Sequence, residues 1–347
     1  MKIGSFDFNK DKTFIIAELS ANHNGSLELA KESIRAAKKA GADAIKLQTY
    51  RPDTITLNSN NEEFIIKGTK FWNDQSLYEL YKKAQTPWEW HEELFSEAKR
   101  AGIICFSSPF DLSAVDFLQR FDPPAYKIAS FEITDHALIQ RCALSQKPII
   151  ISTGIATKEE IYEAVAICKK EGNNNIILLH CTSSYPAPLE EVNLKTMCDM
   201  AKTFGVYVGL SDHTLGLSAP IAAVALGARV IEKHFILDKS IGSEDAGFSL
   251  DFDEFSKMSQ AIRETEKLLG KVSYEMSSKK KANRRFARSL YVSKDIKKGE
   301  VFTINNIKSV RPSNGLHPRY LQRVLGKKAS KDLPFATPLK REDVVDF

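Results

Sequence analysis

Two histidines close short β-type runs late in the chain, His213 in "GLSDHT" and His234 in "VIEKHF". Imidazole suits Mn, Fe, Zn, Ni or Cu, so they read as a metal pair whose open positions take water and a substrate oxygen. The alternative is two hydrogen-bonding histidines without metal. Lys46 and Lys127, with Ser108, Ser130, Ser152 and Ser211, form a basic set rich in hydroxyls. Such a set binds an anion, and phosphate plus carboxylate suits it best. Glu18 is the acid beside it, for general acid/base work or for positioning a carbonyl. A metal that polarises a carbonyl next to an anion site points to carbon–carbon bond formation between an aldehyde and a phosphorylated acid.

These residues share an address. Eight short apolar runs recur: "FIIAEL" (14–19), "AIKLQT" (44–49), "IICFSS" (103–108), "AYKIAS" (125–130), "PIIIST" (148–153), "IILLHCT" (176–182), "VYVGLSD" (206–212) and "RVIEKHF" (229–235). Each has strand length and strand character. Helical patterns lie between them. Their starts are signalled at Ser26, Asp111, Asp135 and a Thr157/Glu160 capping box, and their stops at Gly41, Gly102, Gly172, Gly205, Gly227 and Gly270. Eight strand–helix units predict an α/β fold, a (β/α)8 TIM barrel. An open doubly wound sheet is the alternative, but no G-x-G-x-x-G follows the first run.

In a TIM barrel the C-terminal strand ends carry catalysis. The polar residues gather there: Glu18; Lys46 and Gln48; Ser107 and Ser108; Lys127 and Ser130; Ser152 and Thr153; His180 and Thr182; Ser211 and His213; Glu232 and His234. A single serine in such a place reads as a helix cap. Caps do not require Lys, Glu and His at successive strand ends. Strand side chains alternate, so Lys46 with Gln48, Ser211 with His213, and Glu232 with His234 point into one mouth. Lys233 then points outward, its stem snorkelling between helices, with no part in catalysis. Glu232 either orients a metal ligand or balances Lys46 or Lys127.

Composition narrows the classes. The chain of 347 residues carries 49 basic and 44 acidic side chains, a net charge of +5, too mild to argue for nucleic acid. The start, "MKIGSFDFNKDK", shows no apolar signal segment, and no apolar run reaches membrane-spanning length. Five cysteines without a C-x-x-C pair read as reduced thiols of a cytoplasmic protein. We divide the chain into a catalytic barrel (1–275), a basic linker (276–288) and a compact β domain (289–347). In the last, "RPSNG" (311–315) is a tight turn presenting an arginine fork for carboxylate, phosphate or sugar oxygens.

Several stretches, in order, resemble the sialic acid synthase family: "FIIAELSANHNGS", "AIKLQT", "SSPF", "AYKIAS", "STG", "HCTSSYP", "GLSDHT" and "VIEKHF". The last ~60 residues look like that family's antifreeze-protein-like (SAF, β-clip) domain. "KLQTYRPDTITLNS", "GSEDAGFSLDFDEF" and "FARSLYVSKDIKKGE" resemble its pseudaminic acid synthase branch. The resemblance implies a transferase that condenses phosphoenolpyruvate with 2,4-diacetamido-2,4,6-trideoxy-L-altrose. It further implies that His213 and His234 hold Mn²⁺, or Mg²⁺ or Co²⁺. Lys46, Ser108, Lys127, Ser130, Ser152, Ser183 and Ser211 would bind phosphoenolpyruvate, with Glu18, Lys46 and Lys127 in the chemistry. Gln48, Glu132, Tyr185, Glu244 or Asp245, and Arg311 would contact the sugar. Arg311 would come from the partner in a domain-swapped homodimer.

Two departures bear on the sugar. Ser183 stands where sialic acid synthases commonly carry Asn, and the loop "IGSEDAGFSLD" is about one residue longer than its counterpart, which leaves Glu244 and Asp245 as rival acids. The aromatic segment "KFWNDQSLYELY" (70–81) would meet a 6-deoxy methyl group, act as a lid, or simply pack in the core. N-acetylneuraminic and legionaminic acid synthases are the near alternatives. A Schiff-base aldolase using Lys46 or Lys127 and a non-enzymatic sugar- or anion-binding protein are the distant ones.

Overall fold

In a computed structural model, which describes residues 1–10, 12–68 and 72–347, the chain divides into two compact units, Met1–Gly270 and Lys271–Phe347. All eight apolar runs are strands. They are β1 (Phe14–Glu18), β2 (Ala44–Thr49), β3 (Ile104–Pro109), β4 (Tyr126–Ile128), β5 (Ile149–Ser152), β6 (Ile176–Cys181), β7 (Tyr207–Asp212) and β8 (Val230–His234). They pair in parallel, each with its sequence neighbour, and β8 pairs with β1 to close the barrel. The open-sheet alternative is thereby excluded.

Alternation along each strand builds two cores. Phe14, Ile16, Ala44, Phe106, Ile150, Ile177, Leu179 and Val230 fill the barrel interior. A short N-terminal hairpin, Lys2–Ile3 with Phe6–Asp7, plugs its N-terminal end with Ile3, Phe6 and Phe8. The Phe6 and Phe14 rings lie 4.8 Å apart. The intervening residues, among them Ile15, Ala17, Leu47, Ile128 and Ile231, pack outward against the helices. Gly209 serves the closure: a Cβ there would lie 2.2 Å from the Val230 carbonyl oxygen, so any side chain would hold β7 off β8.

The helices follow the signals read in the sequence. They include α1 (Leu27–Lys39), α2 (His91–Ala101), α3 (Leu112–Gln119), α4 (His136–Leu144), α5 (Lys158–Lys170), α6 (Lys195–Phe204), α7 (Ser218–Ala225) and α8 (Phe252–Leu269). Ser26, Asp111 and Asp135 each accept an orphan backbone N–H of the first turn, and Thr157 with Glu160 forms the reciprocal box. Gly102 and Gly205 end α2 and α6 in the left-handed conformation. Between β2 and α2 runs a long segment containing a helix, Leu77–Ala84. Lys70 and Phe71 of the aromatic stretch lie outside the described residues.

The second unit has its own core of Leu290, Val292, Ile296, Phe302, Ile307, Val324, Leu333, Leu339 and Val344. Strands β9 (Ser289–Val292) and β10 (Ile307–Val310) are antiparallel within it. The basic stretch before them holds an exposed helix, Ser278–Asn283, capped by Ser277, where weak periodicity suggested only linker. The Ser289 hydroxyl donates to the Pro312 carbonyl (2.6 Å) and accepts the Gly315 N–H (2.9 Å), which fixes the "RPSNG" turn and leaves Arg311 exposed.

Candidate active site

Strand register brings the predicted residues to one level. His234 stands opposite Glu18, and Glu18 opposite Lys46. Lys46 Nζ lies 3.0 Å from Glu18 Oε2 and 3.4 Å from Glu232 Oε2, and donates to Ser108 at 3.3 Å. Lys127 Nζ donates to Ser152 (2.7 Å) and to the Ile128 carbonyl (2.9 Å), with Glu232 Oε1 at 3.9 Å. Ser211 donates to the same Glu232 oxygen at 2.9 Å. Gln48 donates to Glu18 Oε1 and to Ser20, both at 2.9 Å. Glu232 therefore faces both lysines, which answers the question its sequence left open in favour of charge balance.

Two carboxylates contend for Lys46, and the winner is set by company. Burial alone would raise Glu232, but Lys127, Lys46 and the Ser211 hydroxyl overcome it and hold the carboxyl below its ordinary value. Glu18 has only one cation, Lys46, and the Gln48 amide against burial and the nearby Glu232 charge, and it is pushed up to about 7. Burial also lowers Lys127 to about 8, opposed by Glu232. Burial works against the charge on Lys46 too, yet Glu18 and Glu232 together raise it. The result is a cationic floor with one carboxyl poised near neutrality.

The serines line this floor. Ser108, Ser130, Ser152 and Ser211 are buried, and Ser183 is half-buried. Gly154, unnoticed in the sequence, explains how Ser130 and Ser183 meet. It donates its N–H to Ser130 Oγ at 2.6 Å. A Cβ at this position would lie 2.3 Å from Ser183 Oγ and 2.7 Å from Ser130 Oγ.

The two histidines sit side by side, ring centroids 5.5 Å apart. His213 Nδ1 donates to the Thr182 carbonyl at 3.1 Å, which puts the lone pair of the neutral ring on Nε2. Burial, then His213 and Lys46, hold the His234 imidazole well below its usual value and so neutral. Its Nδ1 is buried with no hydrogen-bond partner among the described residues, and Asp245 Oδ2 is 3.7 Å away. Burial opposes charge on His213, but Cys181, its Sγ 3.7 Å from Nδ1, and the Thr182 carbonyl raise it above its ordinary value. With the Nε2 proton given up, the two imidazoles fit a divalent first-row metal. No third His, Cys, Asp or Glu completes a cluster among the described residues, so the other positions suit water and substrate oxygens.

An aromatic wall borders the pair. Tyr185 lies 4.4 Å from the His213 ring and 5.0 Å from Phe248, which lies 4.9 Å from His234. Trp72 reaches Tyr185 at 6.0 Å and Phe248 at 6.1 Å, and donates its indole N–H to the Glu244 carbonyl at 3.3 Å. Of the rival acids, Asp245 is buried beside His234 and accepts the Ala21 N–H at 3.4 Å, while Glu244 is half-exposed. Glu132 follows β4 on a single turn. Burial raises it to about 7 against the pull of Lys127, and its Oε2 has no hydrogen-bond partner among the described residues.

Some strand-end residues turn away. His180 Nε2 donates to the Val192 carbonyl at 2.5 Å. Ser107 pairs with Thr49 (2.6 Å), which in turn meets His91 (2.8 Å), on the outer face of the sheet. Lys233 does point outward, but it does not snorkel: it is 1% exposed and bonded to Asp212 at 2.5 Å. A carboxylate directly across the strand pair captures the ammonium before it can reach water. Arg311 belongs to the second unit and is exposed there.

Two family models match, NeuB family over residues 33–274 and SAF domain over residues 287–345. Pseudaminic acid synthase of Campylobacter jejuni subsp. jejuni serotype O:23/36 (strain 81-176) is 59% identical over 99% of both chains. Pseudaminic acid synthase of Helicobacter pylori (strain ATCC 700392 / 26695) is 51% identical over 95% of this chain and 97% of its own. Among solved structures, N-acetylneuraminic acid (sialic acid) synthetase from Leptospira borgpetersenii serovar Hardjo-bovis, in complex with citrate, is 32% identical. It covers 79% of this chain and 90% of its own, with a TM-score of 0.70. The barrel with its ring of strand-end lysines, serines and histidines belongs, with the chain that carries it, to the NeuB family.

Proposed function

We propose that the chain is a pseudaminic acid synthase. It condenses phosphoenolpyruvate with 2,4-diacetamido-2,4,6-trideoxy-L-altrose and water to give pseudaminic acid and phosphate. The observation that carries the reading is full-length likeness to pseudaminic acid synthases. The two-lysine floor supports it, because it offers paired cations and hydroxyls to a ligand with both phosphate and carboxylate.

Lys46 and Lys127, with Ser108, Ser130, Ser152, Ser183 and Ser211, hold phosphoenolpyruvate so that C3 faces the open-chain aldehyde. His213 and His234 would hold a divalent metal, Mn²⁺ ahead of Mg²⁺ or Co²⁺, which supplies Lewis-acid polarisation of the aldehyde oxygen when bound. Attack of C3 forms the carbon–carbon bond, opens the aldehyde C=O to a hydroxyl that takes up a proton, and leaves positive charge at C2. Water adds at C2, the C2–O–phosphate bond breaks, phosphate leaves with the pair, and the C2 hydroxyl gives up its remaining proton to become the ketone. Glu18, with a carboxyl near neutrality, takes the proton from that water. Lys46 and Lys127 stay cationic through the cycle and stabilise the departing phosphate.

Gln48, Glu132, Tyr185 and Asp245 read the sugar, with Asp245 preferred to Glu244 for its burial beside His234. Arg311 would come from a second copy in a domain-swapped homodimer; its exposure on a pinned turn suits that role. Five free thiols suit a cytoplasmic setting, and no helix of the described residues is long and apolar enough to cross a membrane. One observation favours a Schiff-base aldolase: burial lowers Lys127 to about 8. Borohydride with both substrates separates the readings, since a trapped adduct on Lys127 or Lys46 would remove the synthase mechanism. The direct test is phosphate release from phosphoenolpyruvate and the altrose. Chelation should abolish it and added Mn²⁺ restore it; activity indifferent to chelation would remove the metal role of the histidines.

A further inference from the structure

Behind the two histidines lies a pair the chemistry above leaves unused. The side chains of Lys233 and Asp212 are 0% and 1% exposed. Strand register sets the two residues directly opposite each other on β8 and β7. Lys233 Nζ donates to Asp212 Oδ2 at 2.5 Å and also to the Thr214 carbonyl. Asp212 Oδ1 accepts the Thr214 N–H at 3.0 Å. Both backbone polar groups of the residue after His213 are thus tied to this one pair. The His213 carbonyl is held as well, accepting the Ala187 N–H at 2.9 Å. On the other strand Lys233 immediately precedes His234. Because strand side chains alternate, a Lys233 drawn outward to Asp212 leaves His234 aimed into the mouth.

A buried ion pair is weak evidence for stability, since apolar residues of similar volume commonly do as well or better. What this one does instead is join the backbone on either side of the two imidazoles. We propose that Lys233, acting through Asp212 and the Thr214 carbonyl, is a positioning residue that sets the separation and aim of His213 and His234 for a divalent metal. The inference rests on the metal-dependent reading above.

The test is Mn²⁺ binding to the full chain after chelation, read as free Mn²⁺ by electron paramagnetic resonance. Lys233→Met combined with Asp212→Asn removes both charges at nearly constant volume. Partners that orient metal ligands typically change affinity 10–100-fold, so the double variant should bind Mn²⁺ roughly tenfold or more weakly. Its phosphoenolpyruvate affinity, from thermal shift, should stay within about twofold, because the phosphoenolpyruvate residues are untouched; general damage would lower both. Wild-type Mn²⁺ affinity in the double variant overturns the inference alone. Absence of Mn²⁺ binding by the wild type overturns the metal reading and the inference with it. If the double variant does not fold, hydrogen exchange on the metal-free wild type decides. The Thr214 amide should exchange slowly before any metal is added, and fast exchange there would show that the pair holds nothing in place.

Discussion

Replacing Glu18 by Gln should make the protein more stable and nearly inactive. Burial raises the Glu18 carboxyl from 4.5 to about 7. As pH rises through 4.5 the unfolded chain ionises first, so the folded state loses stability until about pH 7, and the loss is constant above that. At about 1.4 kcal/mol per pH unit the deficit at pH 8 is about 3 kcal/mol. Gln has the same shape, can still accept from Gln48, and does not titrate. Lys46 keeps Glu232 as its counter-charge at 3.4 Å. The variant should therefore match the wild type in Tm at pH 4 and exceed it at pH 8. With roughly 2–4 °C per kcal/mol for a domain of this size, the gain is roughly 6–12 °C. Thermal scans across pH 4–8 measure it. Turnover should fall roughly 100-fold or more, with phosphoenolpyruvate affinity retained, as expected when a proton acceptor is removed. A Tm at pH 8 equal to or below the wild type, or near-wild-type turnover, would refute the reasoning.

Other outcomes follow from the same geometry. Gly154→Ala should displace the Ser130 and Ser183 hydroxyls, which lie 2.7 and 2.3 Å from the added carbon, and so raise KM for phosphoenolpyruvate with little change in Tm; an unchanged KM would contradict the packing. Burial lowers His23 and His91 to about 4, so each contributes stability present above 6.5 and lost as pH falls through 4, up to about 3 kcal/mol apiece. His91→Gln should flatten the fall of Tm between pH 6.5 and 4.5, and an unaltered slope would count against this account. Arg311→Ala should raise KM for the sugar and leave that for phosphoenolpyruvate much less affected; steady-state kinetics with each substrate varied in turn will tell.

Much of this site was written in the chain because strands obey period two. Once "AIKLQT" and "VIEKHF" are strands, Lys46 and Gln48 must share a face, as must Glu232 and His234, and the structure places them so. The same rule aimed Lys233 outward but could not say that Asp212 waits directly across the strand pair, since that needs the β7–β8 register. His180 shows the limit of reading strand ends by residue type, because its position in the pleat turned it to the Val192 carbonyl. Trp72 lies in the aromatic segment read as a sugar contact or lid, but Phe248 ends a single short turn without periodicity, so their meeting beside Tyr185 had no local signal. Gly154 could be found only through its neighbours: "STG" is short, and what demands a glycine there is two serines from other strand ends. The choice of Asp245 over Glu244 likewise depends on which carboxyl the loop buries.

The measurement that bears most directly on the central claim is phosphate release with Mn²⁺, phosphoenolpyruvate and three sugars offered separately: N-acetylmannosamine, the legionaminic acid precursor and 2,4-diacetamido-2,4,6-trideoxy-L-altrose. The altrose should give the highest kcat/KM, by roughly 100-fold or more over N-acetylmannosamine, whose C4 and C6 hydroxyls match neither the second acetamido group nor the methyl. Preferential turnover of either other sugar, or no phosphate from the altrose, would contradict the account.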